Sequence, residues 1–175
     1  MDSPEPMHIY TYPESVLRET AVPVENIDDD VLDLIDRMAV TMYAAPGIGL
    51  AANQVGRTKR VVIYDLTPRE EGRNLHVLIN PEIVLAEGET SYEESCLSVV
   101  DYSAEVRRNA CVKVKGVDRD GNPMDVEAEG LLAICLQHEI DHLNGTLYID
   151  HISHLKRALY KKKLKKLLKK DEPSG

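Results

Sequence analysis

Two histidines four residues apart with a glutamate between them, His138, Glu139 and His142, are the residues of this chain best suited to chemistry. They lie in Gln137-His138-Glu139-Ile140-Asp141-His142. On a helix, His138 and His142 share one face a turn apart, close enough to bind one divalent ion, and Glu139 can reach a water on that ion. Two neutral imidazoles hold the ion, the ion acidifies its water, and a carboxylate takes the proton. The competing reading is a core helix that happens to carry two histidines, and a third ligand decides between the two.

The free candidates are Cys96, Cys111, Cys135 and the remaining histidines. Cys135 shares the face of His138 but is seven residues from His142, about 10.5 Å along a helix axis at 1.5 Å per residue. One ion cannot readily contact both, so Cys135 is expected to line a pocket beside the metal. Cys111 begins an alternating segment and reads as core. Cys96 sits in Glu93-Glu94-Ser95-Cys96-Leu97-Ser98, a polar stretch between strands with no packing pattern. It is the best sequence-distant ligand, for a Cys-His-His site with an open fourth position, although spacing alone does not select it.

The elements that must hold these residues are legible to different degrees. Residues 1–26 contain four Pro and read as an irregular, extended entry. Asp28, Asp29 and Asp30 suit a helix N-terminus, and Val31, Leu34, Ile35, Met38 and Met42 follow at helical spacing. Gly47-Ile48-Gly49-Leu50-Ala51-Ala52-Asn53-Gln54 lets a backbone approach a ligand or another strand. Read alone, it is a tight loop with Gly at positive φ. A dinucleotide-loop reading is disfavoured, because a helix rather than a strand precedes it. Strands are expected at 60–66, 76–80 and 81–86, and residues 111–117 and 124–129 form a hairpin around Asp118-Arg119-Asp120-Gly121-Asn122-Pro123. Gly130 opens the histidine helix and Gly145 closes it. Leu131, Leu132, Ile134, Leu136, Ile140 and Leu143 cover most of its surface, so it is buried.

The chain has 175 residues, 43 % of them apolar, with eight Tyr but no Trp or Phe, so aliphatic side chains and tyrosines must fill one core. No apolar run is long enough to span a membrane, the start lacks a secretory pattern, and three widely spaced Cys suit a reducing cytoplasm. The net charge of −9 is uneven: residues 153–175 carry nine Lys and Arg against two acids, a net of +7, leaving −16 on residues 1–152. The division expected is a body over 1–152 and a basic helix and tail of the same domain over 153–175. In that tail Ile152, Leu155 and Leu159 share a face expected to dock on the body. Leu164, Leu167 and Leu168 lie opposite, so the second half of the helix should project.

Three stretches together resemble the three motifs of peptide deformylases, in the right order: Gly47 to Gln54, Glu94-Ser95-Cys96-Leu97-Ser98, and Gln137 to His142. The likeness runs from Ile9-Tyr10-Thr11-Tyr12-Pro13 to about residue 155. It implies an α+β fold, with antiparallel strands packed around a buried central metal-binding helix, an N-terminal amphipathic helix and a C-terminal basic helix. It also implies removal of the formyl group from N-formylmethionine on nascent chains. By that resemblance Cys96, His138 and His142 bind Fe²⁺, with Zn²⁺, Ni²⁺ or Co²⁺ as substitutes, and Glu139 is the acid–base group. Gln54 and the Leu97 N–H stabilise the oxyanion, while Ile48, Gly49, Tyr92, Leu131, Ile134 and Cys135 surround the methionine and its backbone. Two departures bear on substrate affinity and rate. Ser95 stands where the family usually has Gly, and Val100 and Ser103 stand where many members have Pro and Arg.

The same resemblance makes rRNA and ribosomal protein near the tunnel exit the expected partners of the basic helix, with a membrane surface as the rival. Two other functions fit part of the pattern: a zinc endopeptidase using the same helix, and an inactive ribosome-associated relative whose site Ser95 has closed. No third His or Glu stands at the spacing such endopeptidases use.

Overall fold

A computed structural model describes residues 3–170 of the chain. Helix α1 (Asp29–Ala44) begins where the Asp28 side chain accepts the Val31 N–H, and it buries Val31, Leu34, Ile35, Met38 and Met42. Strands β1 (Gly49–Ala51), β2 (Val61–Tyr64), β3 (His76–Glu87), β6 (Cys111–Val117) and β7 (Pro123–Glu129) form one antiparallel sheet in the order β1-β2-β3-β6-β7. Strands β4 (Thr90–Cys96) and β5 (Val99–Arg108) form a separate hairpin. Helix α2 (Gly130–Leu143) packs on the sheet, and α3 (His154–Lys170) follows. The fold is α+β, as expected.

Helix α2 is buried over Ala133–Ile140, His142 and Leu143. It ends in a Schellman arrangement: the Gly145 N–H donates to the His142 carbonyl and the Thr146 N–H to the Asp141 carbonyl, with Gly145 at φ 75°. A Cβ at Gly145 would also come within 2.5 Å of the Arg18 carbonyl oxygen, so backbone proximity and dihedral both require glycine there.

Several sequence expectations need correction. The strands expected at 76–80 and 81–86 are one strand, β3, with a register shift between Ile79 and Glu82. Pro81 cannot donate to the ladder and Asn80 has φ 55°, so the strand bulges there and its pattern breaks. Gly47 and Gly49 are not at positive φ: Gly49 opens β1, and Gln54 lies in the short 3-10 turn Ala52–Val55. Cys111 is exposed rather than core. Cys96 is not in a structureless stretch but is the last residue of β4.

The basic helix docks through a different face. Ile152, just before the helix, is buried as expected, but Leu155 and Leu159 are 69 % and 59 % exposed, whereas Tyr160 and Leu164 are 1 % and 6 % exposed. Tyr160 packs on Tyr102 with ring centroids 4.6 Å apart and donates to the Val100 carbonyl, and Lys163 Nζ donates to the Asp101 carbonyl. The helix therefore stays on the body at least through Leu164, where the leucine pattern alone had it projecting. The tail expectation for residues 171–175 lies outside the described residues. With no Phe or Trp in the chain, tyrosines supply the aromatic core here: Tyr148 and Tyr160 are among the largest fully buried side chains.

Truncating Tyr160 to Ala should cost about 3 kcal/mol or more, as a large core aromatic does. Leu159→Ala should cost no more than about 0.5 kcal/mol, as at an exposed position. Urea unfolding of the two variants distinguishes the faces, and a greater loss at Leu159 would reverse the assignment.

Candidate metal centre

One donor atom from each of Cys96, His138 and His142 lies within 4.8 Å of the others. Helix α2 supplies both imidazoles, whose ring centroids are 5.0 Å apart, and the end of β4 supplies the thiol. Cys96 Sγ is 3.3 Å from His142 Nε2 and also accepts the Ser98 N–H at 3.4 Å.

His138 is oriented by a partner behind it, whereas His142 Nδ1 is buried with no partner among the described residues. His138 Nδ1 is 2.8 Å from Glu94 Oε1, and Glu94 is itself paired through both oxygens with Arg108, at 2.8 and 2.9 Å. Burial works against the Glu94 carboxylate, but Arg108 and then His138 hold its pKa down to about 2. An ionised Glu94 accepts the Nδ1 proton of His138 and leaves Nε2 for a ligand. Arg108 also reaches Asp141 at 2.7 Å, and Asp141 meets His151 Nε2 at 2.9 Å. The result is a charged chain from the His138 ring to the surface.

The two imidazoles are shifted in opposite directions. Burial, then the neighbouring His138 and Arg108, drives the His142 pKa well below its ordinary value. For His138 burial opposes the charge, but Cys96, Glu94 and Glu139 outweigh it and raise the pKa well above normal. The donor set of one thiolate and two imidazoles suits a divalent ion such as Zn²⁺ or Fe²⁺, so the residues present fit a metal.

Glu139 is buried beside this point, with Oε1 3.9 Å from His138 Nε2, and its Oε2 has no partner among the described residues. Burial, opposed by His138 and supported by Glu94, raises its pKa to about 7. A buried carboxyl oxygen with a free lone pair is placed to take a proton from water. The Gln54 amide lies on the other side. Its Oε1 accepts the Ala51 N–H at 3.0 Å, which fixes the amide orientation, and Nε2 donates to Cys96 Sγ and Ser98 Oγ.

A cavity of about 380 Å³ opens onto these groups. Gln54, Cys96, Leu97, His138 and Glu139 line its floor, and His142 lies behind it, buried. Ile48, Gly49, Tyr92, Leu131, Ile134 and Cys135 line its walls, with Ile48, Tyr92 and Leu131 more than a third exposed. Gly49 is needed for close approach: a Cβ there would lie 3.0 Å from both Cys135 Sγ and Glu139 Oε1. Ser95 sits exposed on the rim and leaves the cavity open. Arg108 and Asp141 were given no role by sequence reasoning. Asp141 stands next to His142 in the helix motif, but nothing around Arg108 marks it as part of a site.

Replacing Glu94 with Gln should weaken Co²⁺ or Zn²⁺ binding about 10- to 100-fold while all three ligands remain. Competition with a chromophoric chelator measures this, and unchanged affinity would remove Glu94 from the metal centre.

Comparison with known proteins places the chain in a family. The family model for polypeptide deformylase matches residues 6–158. A peptide deformylase of Syntrophobacter fumaroxidans is 53 % identical over 163 residues, covering 93 % of this chain and 96 % of that protein. The crystal structure of a peptide deformylase from Legionella pneumophila superposes with a TM-score of 0.88 at 44 % identity, over 96 % of this chain and 99 % of that one. A Met-Ala-Ser-bound class I type b peptide deformylase from Acinetobacter baumannii gives 0.79 at 34 % identity, over 85 % and 99 %. With a match over nearly its whole length and a Cys-His-His centre of this geometry, the chain belongs to the polypeptide deformylase family.

Proposed function

We propose that this protein hydrolyses the formyl amide of N-formylmethionyl nascent peptides, releasing formate, with Cys96, His138 and His142 as metal ligands. The observation that carries the reading is the convergence of Cys96 and the two imidazoles within 4.8 Å beside a buried Glu139 whose Oε2 is free. A divalent ion held there supplies Lewis acidity toward a water and a carbonyl oxygen. Fe²⁺ is the first choice by family resemblance, with Zn²⁺, Ni²⁺ or Co²⁺ able to replace it.

The chain's own groups do the rest. Glu139 takes a proton from the attacking water and returns it to the departing amine. The Gln54 amide and the Leu97 N–H donate to the oxygen that becomes negative as water adds to the formyl carbon. Ile48 and Gly49 pair with the peptide backbone at the free edge of β1, while Tyr92, Leu131, Ile134 and Cys135 enclose the methionine side chain. The Met-Ala-Ser ligand of the Acinetobacter structure supports this substrate class. Neither alternative fits as well. The metal group found among the described residues is one Cys and two His, without the third His or Glu of the endopeptidase. The cavity beside Ser95 is open, against an inactive site.

Formate release from formyl-Met-Ala-Ser by anaerobically purified, Fe²⁺-loaded protein tests the reading, with the unformylated peptide as control. Glu139→Gln should retain the metal and lose activity about 10²- to 10⁴-fold. A fully active variant would overturn the acid–base assignment.

Residues 1–152 form the catalytic unit in this reading, and the basic helix belongs to the same domain, supported by Tyr160 and Leu164 in one core cluster with Val99 and Val106. Its lysines dock on the ribosome, on rRNA and ribosomal protein near the tunnel exit. No helix among the described residues is long and apolar enough to cross a membrane, and a cytoplasmic setting suits the free cysteines. Replacing exposed Lys161, Lys165, Lys166 and Lys169 with Ser should abolish ribosome cosedimentation and leave tripeptide deformylation unchanged. Cosedimentation that survives would exclude this helix as the docking element.

A further inference from the structure

A second cavity, of about 430 Å³, adjoins the metal cavity and shares Pro46, Gly47 and Ile48 with it. Its far wall is a platform built on Tyr43. Arg69 donates from Nη1 to the Tyr43 carbonyl at 2.9 Å with its guanidinium 5.8 Å from the ring centroid, and Arg73 stacks on the same ring at 4.1 Å. Asp65 anchors the platform by accepting from Tyr43 Oη and from the Thr67 and Asn74 N–H groups, at 2.6, 2.9 and 2.8 Å. Those donors hold the buried Asp65 carboxylate ionised and occupy it. Stacking uses the face of a guanidinium and leaves its in-plane N–H donors for an oxygen ligand. Glu70 and Glu71 lie on the same loop but do not line this cavity. Two arginines at the mouth of the site stand out on a body, residues 1–152, that carries a net −16.

The route of a bound peptide leads there. In the proposed reaction the formylated end lies at the metal centre and the backbone runs along the free edge of β1. Leu50, Ala51 and Ala52 are fully buried whereas Ile48 and Pro46 are exposed, so a chain that follows β1 out to solvent passes Ile48 and Pro46. Extended residues advance about 3.3 Å each, which brings the third to fifth residues beside the second cavity.

We infer that Arg69 and Arg73 form a specificity subsite for a carboxylate side chain, Asp or Glu, at the third, fourth or fifth position of the nascent peptide. The inference rests on the proposed deformylase reaction, and its test separates the two. Amide-capped peptides formyl-Met-Ala-Ser-Ala-Ala, with Glu or Lys placed in turn at positions three, four and five, are assayed with wild type and with Arg69→Gln/Arg73→Gln. In wild type, Glu at one or more of these positions should lower KM about three- to fivefold against the neutral peptide at unchanged kcat. Lys there should raise KM, and 0.5 M salt should erase both effects. The double variant should process the neutral peptide like wild type and lose the Glu preference. Equal KM for Glu and neutral peptides at all three positions, or a Glu preference that survives in the double variant, overturns the subsite. So does a preference seen only for a free C-terminal carboxylate and not for Glu in capped peptides. Failure to deformylate any peptide would instead overturn the reaction itself.

Discussion

The Glu94 carboxylate is the group on which the site depends. It is buried, it pairs bidentately with a buried Arg108, and it accepts the proton of His138 Nδ1. A charge taken out of water this completely is tolerable only when its lone pairs are filled, and here three contacts at 2.8–2.9 Å fill them. The reward is positional: strand β4, strand β5 and helix α2 each contribute one member and cannot shift independently. Asp141, on the helix one residue before His142, takes a further Arg108 donor. Two residues after Glu94 on the same strand stands Cys96, so fixing one fixes the reach of the other.

The hairpin shows why this matters. Among the described residues, strands β4 and β5 pair only with each other, and an isolated two-stranded ribbon is marginal in water. It is joined to the body by apolar burial of Val99, Ala104 and Val106, by the Arg108 ion pairs, and by Cys96 reaching His142. A metal shared between Cys96 and the two histidines would add a further tie between hairpin and helix. Ion affinity and the placement of the cavity rim, including Tyr92 and Ser95, are then linked quantities.

What the sequence disclosed follows the same physics. Helix α2 was legible because its apolar residues exceed one face and its glycines mark both ends, and α1 because an acidic cap precedes a helical apolar stripe. The hairpin that delivers Cys96 was not. The alternating buried positions in the second half of β5 run Ala104, Val106, Arg108, and a charged residue where the alternation calls for an apolar one hides the strand. On β4 the residue turned inward is Glu94, another charge. The ion pair that builds the site thus erased the pattern that would have revealed it. The docking face of α3 was misplaced for a related reason: counting leucines selects Leu155 and Leu159, while the buried anchor is a tyrosine, whose hydroxyl reaches a carbonyl at the edge of the core.

The cavity itself arises from two strands that stop being ordinary strands. At β1 the sheet ends in a free edge, and Gly49 brings that edge so close to α2 that a single methyl group would press on both Cys135 and Glu139. At the end of β4 the register slips between Ser95 and Cys96, turning the chain so that its thiol meets the helix. The space left between these two irregular ends is closed on one side by the imidazoles and open on the other toward Ile48. In the proposed reaction, a peptide paired along the edge of β1 would bring its terminus to Cys96, the two imidazoles and Glu139, so backbone pairing and placement of the reacting amide would be one act.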